Sequence, residues 1–367
     1  MKKIVITGGH HSSAIPVIYE IKKRYNDVEI YWFGHKHSLS KDKNTTLEYK
    51  EITQLGISFF NIHAGKFYNN FNLLRLLKIP LSFIQTFYLL LKIKPDIILS
   101  FGGYIAVPVV ISGKILHIPS VTHEQTVVIG YANKLISFFV KKIFISWPQS
   151  EKYLPKEKVV YTGLPLRPEI FNVQSEYYRF DNKLPIIYIT AGKSGSHKIN
   201  DAVYKILDDL LDIGNVIHQC GDYSRYNDYQ LLNEKYSHIA KIHKGKYYLE
   251  KFIFSDHIGE VFKKSNLIIS RSGAHICYEL INLNKPCMLI PIPWVSHNEQ
   301  YLNANQVLES GLGEIFDEEN LNSTLFLETI RKMLINLDKY YVKNNFVPAY
   351  NVAEKIVNEI ENISWKK

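Results

Sequence analysis

Residues Ser270 to Leu280 read S-R-S-G-A-H-I-C-Y-E-L and follow directly on the apolar run Leu267, Ile268, Ile269. A short β-branched run that ends in small polar residues and glycine, then gives way to a helical pattern, reads as strand, tight loop and helix start. The unpaired N–H groups of such a first turn, with the helix dipole behind them, favour an anion. Gly273 lets a ligand approach the backbone, and Glu279 lies further along the same helix. A carboxylate at that offset repels a phosphate but can accept two hydrogen bonds from the vicinal hydroxyls of a ribose. The pair suggests a nucleotide. The same residues also read as a capped helix with a solvated glutamate, so the rest of the chain has to decide.

Working outward, the same alternation of strand and helix fills both halves of the sequence. Strand-like runs stand at Ile4 to Thr7, Val28 to Phe33, Ile97 to Ser100, Ser120 to Thr122 and Lys142 to Ser146, then at Ile186 to Thr190, Val216 to Gln219, Leu267 to Ile269 and Cys287 to Ile290. Helical patterns such as Ala14 to Tyr25 and Tyr131 to Val140 separate them. This is the signature of doubly wound parallel sheets. Tyr161 to Phe171, dense in Gly and Pro, reads as a linker, so the sequence predicts two Rossmann-like α/β domains, residues 1–163 and 164–345, with ligands at the carboxyl ends of the strands in a cleft between them. Ala353, Ile356, Val357 and Ile360 predict a final helix in residues 346–367.

Composition narrows the class. Hydrophobic residues at 46% and charged residues at 22% over 367 positions exclude a disordered or fibrous chain and allow two large cores. Cys220, Cys277 and Cys287 form no C-x-x-C pair and no metal-ligand spacing, which fits buried thiols in a reducing, cytoplasmic setting. The apolar run after Lys3 is too short for a signal peptide and reads as a first strand. Charge is uneven: residues 1–165 carry 21 Lys+Arg against 10 Asp+Glu, whereas the remainder is close to neutral. An anionic surface is the natural partner of such a half. Phe71 to Lys94 interleaves leucines and phenylalanines with Arg75, Lys78, Lys92 and Lys94, which favours anionic lipid over nucleic acid. Its uncharged core, Ile79 to Leu91, is too short to span a bilayer; a buried helix with solvated lysines is the other reading.

The strand-end loops carry the candidate chemistry. Gly8-Gly9-His10-His11-Ser12-Ser13 opens a helix without the G-x-G-x-x-G spacing, which argues against a dinucleotide fingerprint but leaves an anion site beside two histidines. Phe101-Gly102-Gly103-Tyr104 is a second glycine turn, and His123-Glu124-Gln125-Thr126 sets His, Glu and Gln side by side at a strand end. In the second half, Ala191-Gly192-Lys193-Ser194-Gly195 contains Gly-Lys-Ser but not the earlier glycine of a P-loop. Pro293 to Gln300 precedes a helix and offers polar side chains that can read sugar hydroxyls. The sequence contains no Asp-x-Asp, H-E-x-x-H or G-x-S-x-G, so no metal site is expected.

Taken in order, Gly8-Gly9, Phe101-Gly102-Gly103-Tyr104, His123-Glu124-Gln125, Gly163-Leu164-Pro165-Leu166-Arg167, the loop around Ser194, Arg271-Ser272-Gly273-Ala274 with Glu279, and Glu299-Gln300 resemble the MurG family within glycosyltransferase family 28 over nearly the whole chain. The resemblance implies a GT-B fold and inverting transfer of GlcNAc from UDP-GlcNAc to a lipid-diphosphate-linked MurNAc-pentapeptide at the inner face of the membrane, with no cofactor. It implies that Arg167, Ser194, Gly195, Ser272, Gly273, Ala274 and His275 hold the donor diphosphate and sugar, Glu279 the ribose, and Glu299 with Gln300 the GlcNAc hydroxyls. The acceptor falls to Gly8, Gly9, His11, Ser12, Ser13, Gly102, Gly103, Tyr104, Gln125 and Thr126. The segment Phe71 to Lys94 docks on anionic inner-leaflet lipid, and the final helix crosses back onto the first domain. Where the family reads G-G-T-G-G-H, its histidine falls on Ser13 here; H-E-Q-N becomes His123 to Thr126; G-G-S-Q-G becomes Ala191 to Gly195; and one glutamine becomes Glu299. His10 is the expected base, with His123 and Glu124 orienting the acceptor. A transferase with another lipid acceptor, a UDP-GlcNAc 2-epimerase and a non-catalytic UDP-sugar binder are the alternatives.

Overall fold

The structure is a computed structural model that describes residues 2–37, 45–64, 78–223, 225–295, 298–343 and 351–364. The chain forms two units, Met1–Arg167 with Ala349–Lys367, and Pro168–Pro348. The first unit runs on to Arg167, whose side chain donates to Glu51 and Ser12 of the same unit.

The first unit holds a seven-stranded parallel sheet in the order β3-β2-β1-β4-β5-β6-β7, with β1 Lys3–Thr7, β2 Glu29–Gly34, β3 Ser58–Asn61, β4 Ile97–Ser100, β5 Ser120–Glu124, β6 Lys142–Ile145 and β7 Val159–Tyr161. Its central strands are buried along nearly their whole length, which is why they read as apolar runs rather than as alternations. Helices α1 His11–Arg24, α2 Leu47–Gln54, α3 Lys78–Ile93, α4 Ala106–Ile115 and α5 Tyr131–Ile136 follow the strands. Pro80 sits in the first turn of α3, where its missing N–H breaks no helical bond. Residues 71–77 of the basic-apolar segment lie outside the described residues.

The second unit holds a six-stranded parallel sheet, β10-β9-β8-β11-β12-β13, with β8 Ile186–Thr190, β9 Asn215–Gln219, β10 Tyr247–Glu250, β11 Leu267–Ser270, β12 Cys287–Leu289 and β13 Gly313–Ile315. Helices α6 His197–Ile213, α7 Asp228–Ile239, α8 Ser255–Lys264, α9 Ala274–Leu283, α10 Glu299–Ser310 and α11 Ser323–Ile335 complete it. Ile199, Val203, Ile206, Leu207, Leu210 and Leu211 of α6 recur at three and four residues and are buried on β8, β9 and α11.

The last helix, α12 Val352–Ser364, belongs to the first unit: Val352, Ile356, Val357 and Ile360 enter the core that holds Ile4 and Ile18. Polar contacts fix its outer side, with Glu361 accepting from Arg24 at 3.0 Å and from Tyr25 at 2.6 Å.

Both strand orders reverse direction beside the first strand of their sheet, between β1 and β4 and between β8 and β11. Loops leaving adjacent strands diverge there and leave the carboxyl ends open. These two switch points carry the loops singled out from the sequence.

Candidate active site

At the first switch point two glycine turns meet backbone to backbone. Gly9 has φ +141°, and a Cβ there would lie 2.6 Å from the Gly102 carbonyl oxygen, so no other residue fits. His10 follows, exposed, as the residue that caps α1. Its Nδ1 lies 2.8 Å from the Phe101 carbonyl oxygen. A carbonyl only accepts, so Nδ1 carries the proton in the neutral ring and Nε2 keeps a lone pair.

The neighbouring side chains are committed elsewhere. His11 Nε2 lies 2.9 Å from Glu51 Oε2, and Arg167 donates to the same oxygen at 3.1 Å and to Ser12 Oγ at 3.4 Å. Ser13 is fully buried and donates to Gln125 Oε1 at 3.2 Å.

β5 delivers His123 and Glu124. His123 is buried, with Nε2 3.0 Å from the Gly163 carbonyl oxygen and its ring against Phe101 at 5.7 Å. Burial lowers its pKa to about 4, against the raising effect of that carbonyl, so the ring is neutral at ordinary pH. Glu124 is saturated: Oε1 accepts from the Thr126 amide at 3.0 Å and hydroxyl at 2.9 Å, and Oε2 from Asn133 Nδ2 at 2.9 Å and the Gly130 amide at 3.3 Å. The carboxylate shapes the 126–133 turn and has little capacity left for a ligand. Tyr104 lies against His35 with ring centroids 5.0 Å apart, and burial pushes its hydroxyl up to about 12.

At the second switch point the loop after β8 is built on glycine. Gly195, at φ +71°, packs on the Cys220 carbonyl so closely that a Cβ would lie 1.9 Å from its oxygen. Gln219 spans the loop, donating to Thr190 Oγ1 at 3.2 Å and to the Gly192 carbonyl at 3.0 Å while accepting from the Ile253 amide. Ser194 stands exposed at its tip. Arg271, at the end of β11, is buried; it donates to Ser196 Oγ at 2.7 Å, to the Ile290 carbonyl at 3.1 Å and to Glu318.

Ser272 and Gly273 then lead into α9. A Cβ on Gly273 would meet no described atom within 4 Å, and its φ of −64° suits any residue. This glycine therefore keeps space open in front of a helix N-terminus, where Ala274 and His275 begin the first turn. Asn303 donates to the Ser272 carbonyl at 3.3 Å, while Ser272 Oγ is buried without a partner among the described residues. Glu279 is partly buried one turn further along. Glu299 and Gln300 open α10, and Gln300 Oε1 accepts from the Ile292 amide at 3.0 Å. Ser296 and His297 lie outside the described residues. Among the described residues no three His, Cys, Asp or Glu side chains converge as a metal site.

Comparison with known proteins matches the glycosyltransferase family 28 N-terminal domain over residues 6–145 and the family's C-terminal domain over residues 186–359. A UDP-N-acetylglucosamine–N-acetylmuramyl-(pentapeptide) pyrophosphoryl-undecaprenol N-acetylglucosamine transferase from Bacillus cereus is 31% identical over 378 residues, spanning 99% of each chain. The transferase of the same name from Clostridium botulinum is 32% identical over 99% of this chain and 98% of its own. The chain belongs to glycosyltransferase family 28. Among solved structures, MurG from Acinetobacter baumannii is similar with a TM-score of 0.67 at 19% identity, covering 99% of this chain and 100% of that one. A UDP-GlcNAc 2-epimerase from Neisseria meningitidis, bound to UDP-GlcNAc, reaches 0.65 at 15%, again over 99% and 100%. Both likenesses are of fold, and that fold is GT-B.

Within this family 28 chain, several residues that build the site carry no signal in the sequence. Asn133 holds Glu124, Gln219 and Arg271 with Glu318 hold the second-unit loops, and Glu51 of α2 reaches the residue that follows the first glycine loop. Asn133 lies only nine residues beyond Glu124, on the following helix, but the others act across long stretches of chain, outside any spacing pattern.

Proposed function

We propose that this protein transfers GlcNAc from UDP-GlcNAc to an undecaprenyl-diphosphate-linked MurNAc-pentapeptide with inversion, making the lipid-linked disaccharide precursor of peptidoglycan. As a family 28 member it is a UDP-GlcNAc-dependent glycosyltransferase, and the observation that carries the acceptor assignment is the end-to-end similarity to transferases named for that reaction.

The second unit takes the donor. The first turn of α9 and Ser194 receive the diphosphate, Glu279 the ribose hydroxyls, and Glu299 with Gln300 the sugar. The first unit takes the acceptor, its diphosphate at the Gly8-Gly9 loop. An acceptor hydroxyl attacks the anomeric carbon from the face opposite UDP. His10 Nε2 accepts the hydroxyl proton, the glycosidic bond forms, and the bond to the diphosphate breaks as its charge develops against helix N–H groups. Arg167 adds a cation for phosphate, released from Glu51 as the anion arrives. His123 and Glu124 act behind the reacting groups, one under Phe101 and the other through the 126–133 turn. No cofactor takes part.

The enzyme works from the cytoplasm as a peripheral protein on the inner leaflet. Leu81, Ile84, Tyr88 and Leu91 are exposed along one face of α3, with Lys92 and Lys94 at its end, which supports docking on anionic lipid rather than on nucleic acid. Among the described residues no helix is long and apolar enough to cross a membrane.

The test is UDP release from UDP-GlcNAc with and without the lipid-diphosphate acceptor in detergent, for wild type, Glu279→Ala and His10→Ala. Acceptor-dependent release that is lost in Glu279→Ala with UDP binding weakened, and lost in His10→Ala with UDP binding kept, is the expected result. Release without acceptor would give the protein to the epimerases, and binding without release would leave it a non-catalytic binder or a transferase for another acceptor.

A further inference from the structure

Beneath the first glycine loop lies a carboxyl group that the transfer step does not use. Glu48, in the first turn of α2, accepts from Trp32 Nε1 at 2.7 Å. Its Oε1 occupies the space where side chains at Gly8 and Gly34 would begin: a Cβ would lie 2.0 Å from that oxygen at Gly8 and 2.1 Å at Gly34. Neither glycine has the positive φ that would itself demand glycine. Two positions, one just after β1 and one at the end of β2, thus go without side chains where one carboxyl group lies against the backbone of the loop.

The surroundings of Glu48 differ from those of Glu51, one turn further along α2. Glu51 is matched by His11 and Arg167. Around Glu48 stand Trp32 and Gly34 of β2, Phe59 of β3, the Gly8 backbone, and Tyr104 with His35 on its ring. α1 begins with the titratable His11, already held by Glu51; on α2 itself Tyr49 carries the Lys36 ammonium over its ring. Among the described residues no cation pairs with Glu48. Burial therefore raises its pKa to about 7, against the lowering effect of the Trp32 N–H. Because that N–H points at Oε1, the proton of the neutral form belongs on Oε2.

A diphosphate diester keeps its two charges throughout the neutral range, so the loop must receive an anion directly above a group that is itself divided between neutral and charged. We infer that Glu48 is a positioning residue that links acceptor binding to proton uptake: the Gly8-Gly9 loop holds the acceptor diphosphate with Glu48 protonated and loses it as Glu48 ionises. The inference rests on the acceptor assignment made above for this loop.

The experiment compares wild type and Glu48→Gln, which keeps the volume and the acceptor for Trp32, between pH 6 and 9 with the lipid-diphosphate acceptor varied at saturating UDP-GlcNAc. In wild type the acceptor KM is expected to rise about tenfold per pH unit above about pH 7. In Glu48→Gln it should stay at the low-pH value, with the KM for UDP-GlcNAc and the profile of kcat unchanged, since His10 is present in both. Calorimetry of acceptor binding at pH 7.5 in two buffers of different ionisation enthalpy gives a second readout, net proton uptake in wild type and none in Glu48→Gln. A parallel rise of KM in both proteins, or equal proton uptake, overturns the linkage while leaving the acceptor assignment standing. Absence of acceptor-dependent turnover at every pH, with UDP-GlcNAc still bound, overturns the assignment and the linkage with it.

Discussion

Removing Glu318 should cost the second unit more than any exposed ion pair could. Arg271 joins four strand ends: its own on β11, Ser196 after β8, the Ile290 carbonyl after β12, and Glu318 after β13. The Glu318 side chain is completely buried and that of Arg271 is 10% exposed. Glu318→Ala leaves the guanidinium buried without its counter-charge, a change that typically costs 3–5 kcal/mol. The bonds to Ser196 and Ile290 survive, which places the cost near the lower figure. Lys198, the other partner of Glu318, is 54% exposed and simply rehydrates. A loss of about 3 kcal/mol in a unit of this size lowers its Tm by about 6–12 °C. Calorimetric scans of wild type, Glu318→Ala and the apolar double variant Arg271→Met with Glu318→Met measure it. The double variant should recover most of the loss, because no uncompensated charge remains, yet bind UDP less tightly, because Ser196 is no longer tied to β11. A Tm for Glu318→Ala within 2 °C of wild type, or a double variant no more stable than the single one, would refute the reasoning.

Three further outcomes follow from the same geometry. Burial holds His123 at about 4 and His218 at about 3, so below pH 6.5 the unfolded chain takes up protons that the folded units refuse. Each histidine should then cost on the order of 1.4 kcal/mol per pH unit as pH falls toward those values, and denaturant unfolding of His218→Gln between pH 4.5 and 7.5 should show the shallower slope. Glu124→Gln sets an amide NH2 against the donors of Asn133 and Gly130; it should raise the acceptor KM or lower kcat at least tenfold with UDP affinity unchanged, as steady-state kinetics and UDP titration will show. Ser13→His should fail to rescue His10→Ala, because Ser13 is fully buried and an imidazole there overpacks the core by about 1–3 kcal/mol; activity in the double variant would overturn the assignment of the base.

How much of this was legible depends on where a strand lies. The runs at Ile4 to Thr7, Ile186 to Thr190 and Leu267 to Ile269 announced themselves because central parallel strands are covered on both faces. β3, β7, β10 and β13 went unread, and these are the four edge strands of the two sheets. Each is three or four residues long and partly exposed, so tyrosine, serine, asparagine and glutamate interrupt the apolar pattern. Glycine loops at the switch points were equally readable, since small residues between a strand and a helix carry their own signal. The partners that hold those loops in shape were not, because Arg271 with Glu318, or Gln219 with the Gly192 carbonyl, become neighbours only when distant stretches fold together.

The assignment of the base shows why sequence position and physical environment have to be weighed together. Counting from the glycine pair, the family's histidine falls on Ser13, and three histidines compete for its role. A base needs a lone pair that faces an incoming hydroxyl. His123 is buried with its Nε2 on the Gly163 carbonyl, and burial leaves it a very weak base. His11 has its Nε2 on Glu51, and that carboxylate also holds Arg167. His10 differs from both: it is exposed, and its Nδ1–H donates to the Phe101 carbonyl, which fixes the tautomer and leaves Nε2 as the acceptor. The carbonyl that does this belongs to the residue before Gly102 and Gly103, so the second glycine turn orients the base while its backbone packs on the first. A histidine displaced by three residues can therefore serve in the proposed role, because the group that orients it is main chain.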